Sequence, residues 1–163
     1  MSNDAVQDGT IVGSYQILEG TVSQGGTGES CRDGDWDTAY NCTYNTGYEG
    51  SDCNTNITVT AEWTTPRTIT QIDYRIKATS GDGRASGYVQ LKISGSWTTV
   101  GSVSNSDTGH VTTTTGWAVV TGMKAYCTSM CNGDVPNGQA QIYELQAWYE
   151  ASSGGARSYS IIL

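Results

Sequence analysis

The chain has 163 residues, enough for one domain with a hydrophobic core, and only 15% of them are charged. Its formal net charge of −8 argues against nucleic acid as a partner, and no stretch reaches the roughly 18 apolar residues of a membrane-spanning helix. The first ten residues lack the basic and apolar regions of a secretory signal peptide, so we expect neither a signal peptide nor membrane insertion.

The negative charge is concentrated at the start of the chain. Residues 1–62 carry ten acids and one base, Arg32, which gives a net charge of −9. Residues 63–163 carry six acids and seven bases, which gives a net charge of +1. The first part of the chain therefore holds nearly all of the excess charge.

Taken in chain order, the sequence predicts a series of strands joined by turns. Residues 1–10 are polar and predict a loose arm, and a first strand follows over residues 10–18, so that 1–28 form an N-terminal arm and first strand. Later segments alternate apolar and polar residues, which is typical of half-buried strands. These segments are 57–63, 68–78, 88–94, 116–127 and 139–150. We expect the segments TTPR and GSW to form turns between them. About eight strands, with no helical period, predict an all-β sandwich or jelly roll over residues 29–150.

The last thirteen residues differ from the rest. Residues 151–156 are small and predict a flexible Gly/Ser linker, and the chain ends in the apolar, strand-prone segment ARSYSIIL. One interpretation is a further strand of the same sandwich. The other, which we favour, is a tail over 151–163 that docks on a neighbouring subunit or a larger particle.

Five cysteines leave at least one thiol unpaired. Cys42 with Cys53 and Cys127 with Cys131 are possible disulfides that would staple loops, leaving Cys31 single. Buried free thiols are an alternative. A zinc site is a third, although its spacings fit poorly and the chain has one histidine.

The segment CRDGDWDTAYNC places Asp33, Asp35 and Asp37 at alternate positions. Three carboxylates so close repel one another unless a positive group lies among them or all of them face water. The simplest interpretation is a solvated turn in which Asp33 and Asp37 accept hydrogen bonds from backbone amides.

Four segments in order resemble the discoidin or coagulation-factor type C domains of the galactose-binding-like superfamily. They are RDGDWDTAY, ITVTAEWTTPRTITQIDYRI, YVQLKISGSWTTVGSV and AQIYELQAWY. The resemblance implies an eight-stranded jelly-roll sandwich. It also implies a structural calcium ion held against the acidic loop, because calcium prefers six to eight hard oxygens from carboxylates, carbonyls and hydroxyls. The ligands it implies are side-chain oxygens of Asp33, Thr38 and Glu144 and carbonyls of Ser30, Asp35, Thr38 and Tyr143.

No catalytic motif is present, and we expect a protein that is not an enzyme. Members of the resembled family bind sugars, lipids or proteins through loops at one end of the sandwich. Aromatic rings stack on sugar faces and polar side chains bind hydroxyls, which makes several residues candidate ligands. These candidates are Trp36, Tyr40, Tyr44, Tyr48, Arg84, Trp97 and His110. Trp36, Tyr40 and Trp97 are also candidates for core packing, because the chain has no phenylalanine.

Two functions are compatible with these features. The first, which we favour from the sequence, is a non-catalytic structural or adhesion module displayed on a virion or in a filament, with possible glycan binding. The alternative is a carbohydrate-binding module of a secreted enzyme or adhesin. Both imply a location on a virion surface or outside the cell.

Overall fold

The computed structural model describes residues 2–19, 22–25, 28–44, 53–81, 83–131 and 138–150. Most of them lie in antiparallel strands, so the predicted all-β class is confirmed. Eleven strands are described, more than the eight that the alternation predicted, since several are too short to show a pattern. The strands are β1 (Ser2–Asp4), β2 (Thr10–Glu19), β3 (Val22–Gly25), β4 (Tyr40–Tyr44), β5 (Cys53–Thr79), β6 (Ser86–Ile93), β7 (Ser96–Ser104), β8 (Ser106–Asp107), β9 (Val111–Thr113), β10 (Trp117–Cys131) and β11 (Gln139–Glu150). A short helix α1 spans Ala5–Asp8, and a 3₁₀ helix spans Gly28–Cys31.

The long strand β5 belongs to both layers of the sandwich. Its first half pairs with β2 and β10, and β10 continues the layer to β6 and β7. Its second half pairs with β11, β8 and β9, and β11 continues the other layer to β4 and β3. The expected turn at TTPR is therefore wrong, because the strand is continuous there. Pro66 is exposed and lies where β5 passes from one layer to the other. On either side of it, Glu62 and Arg67 of β5 pair with Gly122 and Val120 of β10.

The core lies between the two layers and is built from the predicted alternation. Ile57, Val59 and Ala61 are fully buried in the first half of β5, and Ile72 and Ile76 are fully buried in the second half. A strand presents alternate side chains to opposite faces, so the intervening polar residues form the outer faces of the sandwich. The residues that alternate with the buried ones are therefore the residues available to bind a ligand on the outer faces.

A two-residue turn joins β6 to β7. Ser94 and Gly95 have φ angles of 49° and 85°, and Ile93 pairs with Ser96. Two positive φ angles are typical of the hairpin turn whose twist matches that of the flanking strands. The turn predicted at GSW is confirmed, although Trp97 already lies in β7.

The N-terminal residues are packed and do not form the loose arm that we expected. β1 pairs with β11, and Ala5 and Val6 of α1 are fully buried. Asp4 Oδ1 accepts hydrogen bonds from the amides of Val6 at 2.9 Å and Ala147 at 3.0 Å. A short apolar pair in a polar segment is enough to dock it, which the average polarity of residues 1–10 concealed.

The cysteines are arranged differently from the predicted pairing. Cys127 is a free, buried thiol, and Cys31 is buried with its Sγ 3.1 Å from the carbonyl of Ile142. The Cys127–Cys131 disulfide is wrong, and the expectation that Cys31 is left single stays a prediction. Both of these residues lie in β10, where four residues of extended chain span about 13 Å, too far for a disulfide. Burial raises the pKa of the Cys127 thiol well above its ordinary value.

The other predicted disulfide, between Cys42 and Cys53, stays a prediction. Cys42 lies in β4 opposite Ala140, and the register of β5 with β10 places Cys53 opposite Cys131. Tyr48 and residues 151–163 lie outside the described part of the chain, so the expectations for this candidate and for the tail stay predictions as well. None of the helices in the described segments has the length and apolar character needed to cross a membrane.

Candidate functional site

The acidic loop after the 3₁₀ helix is held by its own carboxylates. Asp33 Oδ1 accepts from the amide of Asp35 at 2.8 Å, and Asp35 Oδ1 accepts from the amide of Asp37 at 2.9 Å. Thr38 Oγ1 donates to Asp33 Oδ2 at 3.0 Å and lies 3.3 Å from the carbonyl of Asp35. Gly34 allows the tight turn, since its φ of 82° lies in the left-handed region that favours glycine. The loop is therefore a folded element that presents oxygen atoms.

A positive group that sequence reasoning missed lies beside this loop. Arg75 of β5 donates to the carbonyl of Trp36 at 2.8 Å and contacts Asp37 at 3.2 Å and Asp107 at 3.0 Å. Its guanidinium also stacks over the ring of Tyr143, 4.1 Å from the centroid. Burial acts to raise the pKa of Asp107, but hydrogen bonds from Arg75 and Gly109 outweigh it and hold that pKa below its usual range. One arginine thus fixes two segments that are distant in sequence.

Glu144 lies below the acidic loop and is fully buried. Its Oε1 accepts from Gln146 Nε2 at 3.2 Å, whereas its Oε2 has no hydrogen-bond partner among the described residues. Burial raises the pKa of Glu144 to about 7, the negative charges of Asp33 and Asp4 add to the rise, and hydrogen bonds from Gln146 and the Gly34 amide oppose it. A buried carboxylate with an unpartnered oxygen is costly unless a proton or a cation accompanies it.

The chemistry of these donors fits a hard cation such as calcium. The charges of Asp33 and Glu144 interact, and the threonine hydroxyl and the carbonyl of Asp35 lie in the same loop as Asp33. No group of three or more His, Cys, Asp or Glu side chains suited to a metal ion occurs in the described segments, so carbonyl and hydroxyl oxygens would have to complete the shell. The other two predicted ligands flank this position, with Ser30 in the 3₁₀ helix and Tyr143 next to Glu144 in β11.

A second cluster, which we call the Asp73 platform, lies on the outer face of β5 and β11. It consists of Gln71, Asp73, His110, Trp36 and Trp148. Asp73 is 5% exposed and accepts hydrogen bonds from Gln71 Nε2 at 2.7 Å, Trp148 Nε1 at 2.6 Å and Thr112 Oγ1 at 2.5 Å. Burial acts to raise the pKa of Asp73, but these hydrogen bonds outweigh it and lower that pKa, so the carboxylate stays ionised.

Two candidate ligands predicted from the sequence meet on this platform. The rings of Trp36 and His110 stack with centroids 3.8 Å apart, and His110 Nε2 lies 3.5 Å from Asp73 Oδ1. Trp148 approaches the other oxygen of the same carboxylate. The carboxylate of Asp73 therefore contacts Trp148 from a strand and His110 from a loop, and His110 in turn stacks on the loop residue Trp36. Asp73 and Trp148 were not identified as site residues from the sequence. Trp148 could have been recognised, because it is an aromatic residue at a position of the last strand where the alternation predicts an outward-facing side chain.

The remaining candidates do not join the platform. Trp97 lies in β7 on the outer face of the other layer, with Lys124 Nζ 4.4 Å from its ring centroid. Arg84 is exposed in the turn before β6, and its amide donates to Ser80 Oγ at 2.9 Å. Tyr40 and Tyr44 are the first and last residues of β4, and only the backbone of this strand is described. A role for these residues in binding stays a prediction.

Solved structures resemble this fold, although neither a protein family model nor a curated protein sequence matches the chain. A chitosan-binding module of a chitosanase/glucanase from Paenibacillus sp. IK-5 superposes with a TM-score of 0.56 at 16% identity, over 91% of this chain and 99% of that one. The chain therefore shares the β-sandwich fold of that module. A family 32 module of NanJ from C. perfringens, solved with galactose, matches over 91% of this chain and 99% of its own, with a TM-score of 0.47 at 13% identity.

Proposed function

We propose that this galactose-binding-like domain is a non-catalytic carbohydrate-binding module and that the Asp73 platform is its binding site. The observation that carries the proposal is the convergence of the Trp36–His110 stack and Trp148 on one buried carboxylate. Aromatic faces supply apolar contact for the C–H face of a sugar ring, and nearby amides and hydroxyls bind its edge. Gln71 and Thr112 provide such groups beside Asp73.

The state of Asp73 favours binding over catalysis. Its oxygens already accept three hydrogen bonds, and its lowered pKa makes it a poor general acid or base near neutral pH. A carboxylate in this position fixes the surrounding side chains in place. The similar module from Paenibacillus is named for binding chitosan, which shows that the fold is compatible with a polysaccharide ligand.

We further propose that calcium binds between the acidic loop and β11, with oxygens of Asp33, Thr38 and Glu144 as its central ligands. Carbonyls of Ser30, Asp35, Thr38 and Tyr143 would complete the shell. The unpartnered Oε2 of the buried Glu144 supports this proposal. The ion would have a structural role, because it would fix the loop that carries Trp36 to the strand that carries Trp148.

The carbohydrate-binding module, which was the alternative in the sequence analysis, is thus the function that we propose in place of a virion or filament module. No observation on the described residues supports a virion-associated role, and the tail over 151–163, whose docking would support it, lies outside them. We propose a location outside the cell, where a polysaccharide-binding module meets its ligand. Deletion of residues 152–163 is still expected to leave a folded domain, because β11 ends at Glu150 and is already paired with β1.

The test is a saccharide-binding assay on the wild type and two variants. We expect the wild-type chain to bind a subset of an array of neutral, amino and uronic oligosaccharides. Trp36→Ala should weaken that binding at least ten-fold, as removal of a central aromatic contact does. Tyr88→Ala is the matched control, since Tyr88 stacks on Tyr126 on the other layer, with ring centroids 5.0 Å apart. Absence of binding to every saccharide class, or equal loss in both variants, contradicts the proposal.

A further inference from the structure

A cleft adjoins the Asp73 platform. It has a volume of about 430 Å³ and is lined by Thr70, Gln71, Trp148 and Glu150. The indole of Trp148 is one wall, and its Nε1 is fixed by the bond to Asp73. Thr70 Oγ1 donates to the carbonyl of Trp148 at 3.2 Å, and Gln71 is fixed by its own bond to Asp73. The walls are thus ordered before a ligand arrives, which lowers the entropic cost of binding.

Two acidic side chains lie at this cleft, because Glu150 lines it and Asp73 binds the Gln71 and Trp148 side chains that line it. Among the described residues, neither Asp73 nor Glu150 forms an ion pair with a lysine or arginine. The group facing Asp73 is His110, which is charged only when protonated. Further along the same face, Arg75 contacts Asp37 and Asp107, and Lys77 also interacts with Asp107, so these four groups balance in charge and the negative charge lies at Asp73 and Glu150. The field over the platform therefore favours a cation and opposes an anion.

We infer that this cleft binds an amino sugar, and that the ligand of the module is a polysaccharide with free amino groups. This inference rests on the proposed carbohydrate-binding function and specifies its ligand. The face of the Trp148 ring contacts the C–H face of the sugar, and the exposed carboxylate of Glu150 pairs with the ammonium group. Thr70 and Gln71 bind hydroxyls. The Trp36–His110 stack lies beyond Asp73 and contacts a neighbouring sugar of the same chain.

The experiment compares oligomers of β-1,4-linked glucosamine with N-acetylated oligomers of equal length and linkage, using calorimetry at a pH that keeps the amines protonated. We expect the free-amine oligomer to bind at least ten-fold more tightly, and its affinity to fall as salt is raised. Trp148→Ala should lower that affinity at least ten-fold. Glu150→Gln should lower it about two- to five-fold, as loss of an exposed charge pair does, and should leave the N-acetylated oligomer unaffected.

Glu62→Gln is the matched control, because Glu62 is an exposed acid on the other layer, paired with Lys92 at 2.7 Å. It should leave the affinity unchanged. Since Glu150 is exposed at the end of β11, its variant tests the inference even if Trp148→Ala does not fold. Equal or tighter binding of N-acetylated, neutral or uronic oligomers, still weakened by Trp36→Ala, overturns the amino-sugar inference and leaves the proposed function standing. Absence of binding to all of them overturns both.

Discussion

The two outer faces of the sandwich each carry aromatic rings, but in different surroundings. On the face of β5 and β11, Trp148 and the Trp36–His110 stack lie around the buried carboxylate of Asp73. On the face of β10, β6 and β7, the ring of Trp97 is contacted by lysines. Lys124 and Lys92 place their ammonium groups 4.4 Å and 5.7 Å from its centroid, and Lys92 also pairs with Glu62. Both faces therefore combine aromatic rings with charges.

The difference lies in what holds the rings. On the Asp73 platform, a buried carboxylate that accepts three hydrogen bonds contacts Trp148 and His110, and a cleft lies beside Trp148. The ammonium groups of Lys92 and Lys124 lie over the ring of Trp97, so a ligand that stacked on the same ring face would have to displace them. An exposed aromatic residue is thus a weak predictor of binding until the groups that orient it are known.

The largest effect is expected from removing the carboxylate that organises the platform. Asp73→Ala leaves the donors of Gln71, Thr112 and Trp148 without their acceptor, so the free energy of unfolding should fall by roughly 2–4 kcal/mol. Denaturation in urea measures it. Asp73→Asn keeps one acceptor oxygen and should lose less. A change below about 0.5 kcal/mol in Asp73→Ala would show that Asp73 does not organise this face.

Glu144 predicts a pH dependence that reports on the proposed ion. The pKa of Glu144 is about 7 in the fold against an ordinary value of 4.5, so the folded state retains a proton that the unfolded state has released between these pH values. In the presence of a chelator, the free energy of unfolding should therefore fall as pH rises through this window, by on the order of 3 kcal/mol.

Calcium should remove most of that loss, because a cation stabilises the ionised carboxylate and binds only the folded state. At about 100 times its dissociation constant it should raise the melting temperature near pH 7 by roughly 5–10 °C. Glu144→Gln is the matched variant and should show neither the pH dependence in this window nor the response to calcium. A wild-type melting temperature that ignores both calcium and chelator would contradict the proposed site.

The smallest effect is expected on the face of Trp97. Lys92→Ala removes an exposed ion pair with Glu62 and one cation–π contact, so it should change the free energy of unfolding by less than about 1 kcal/mol. Saccharide affinity should not change. A clear loss of affinity in this variant would instead assign a binding role to the second face and make the two faces functionally alike.

Local pattern determined much of the architecture. The alternation in residues 57–63 and 68–78 fixed which side chains are buried, because a strand exposes every second residue to the same face. The DGD segment predicted a tight acidic loop, and Gly34 has the positive φ that such a turn requires. The order of four motifs predicted a jelly-roll sandwich, and the described strands form a β-sandwich similar to a solved module. The alternation and the acidic loop depend on neighbouring residues, so a short segment is enough to predict them, whereas the fold was indicated by motifs spread along the chain.

Only the tertiary structure decided what surrounds the candidate residues. Arg75 reaches Asp37 and Asp107 because three separate segments meet on one face, and no spacing in the sequence indicates that contact. Asp73 lies in the polar phase of a strand and would be expected in water, yet Trp148, Thr112 and Gln71 enclose it. Cys127 and Cys131 looked like a stapled loop, but pairing with β5 keeps their segment extended. Pairing between distant strands costs chain entropy and is stabilised by burial across the whole sandwich, so no local pattern specifies it.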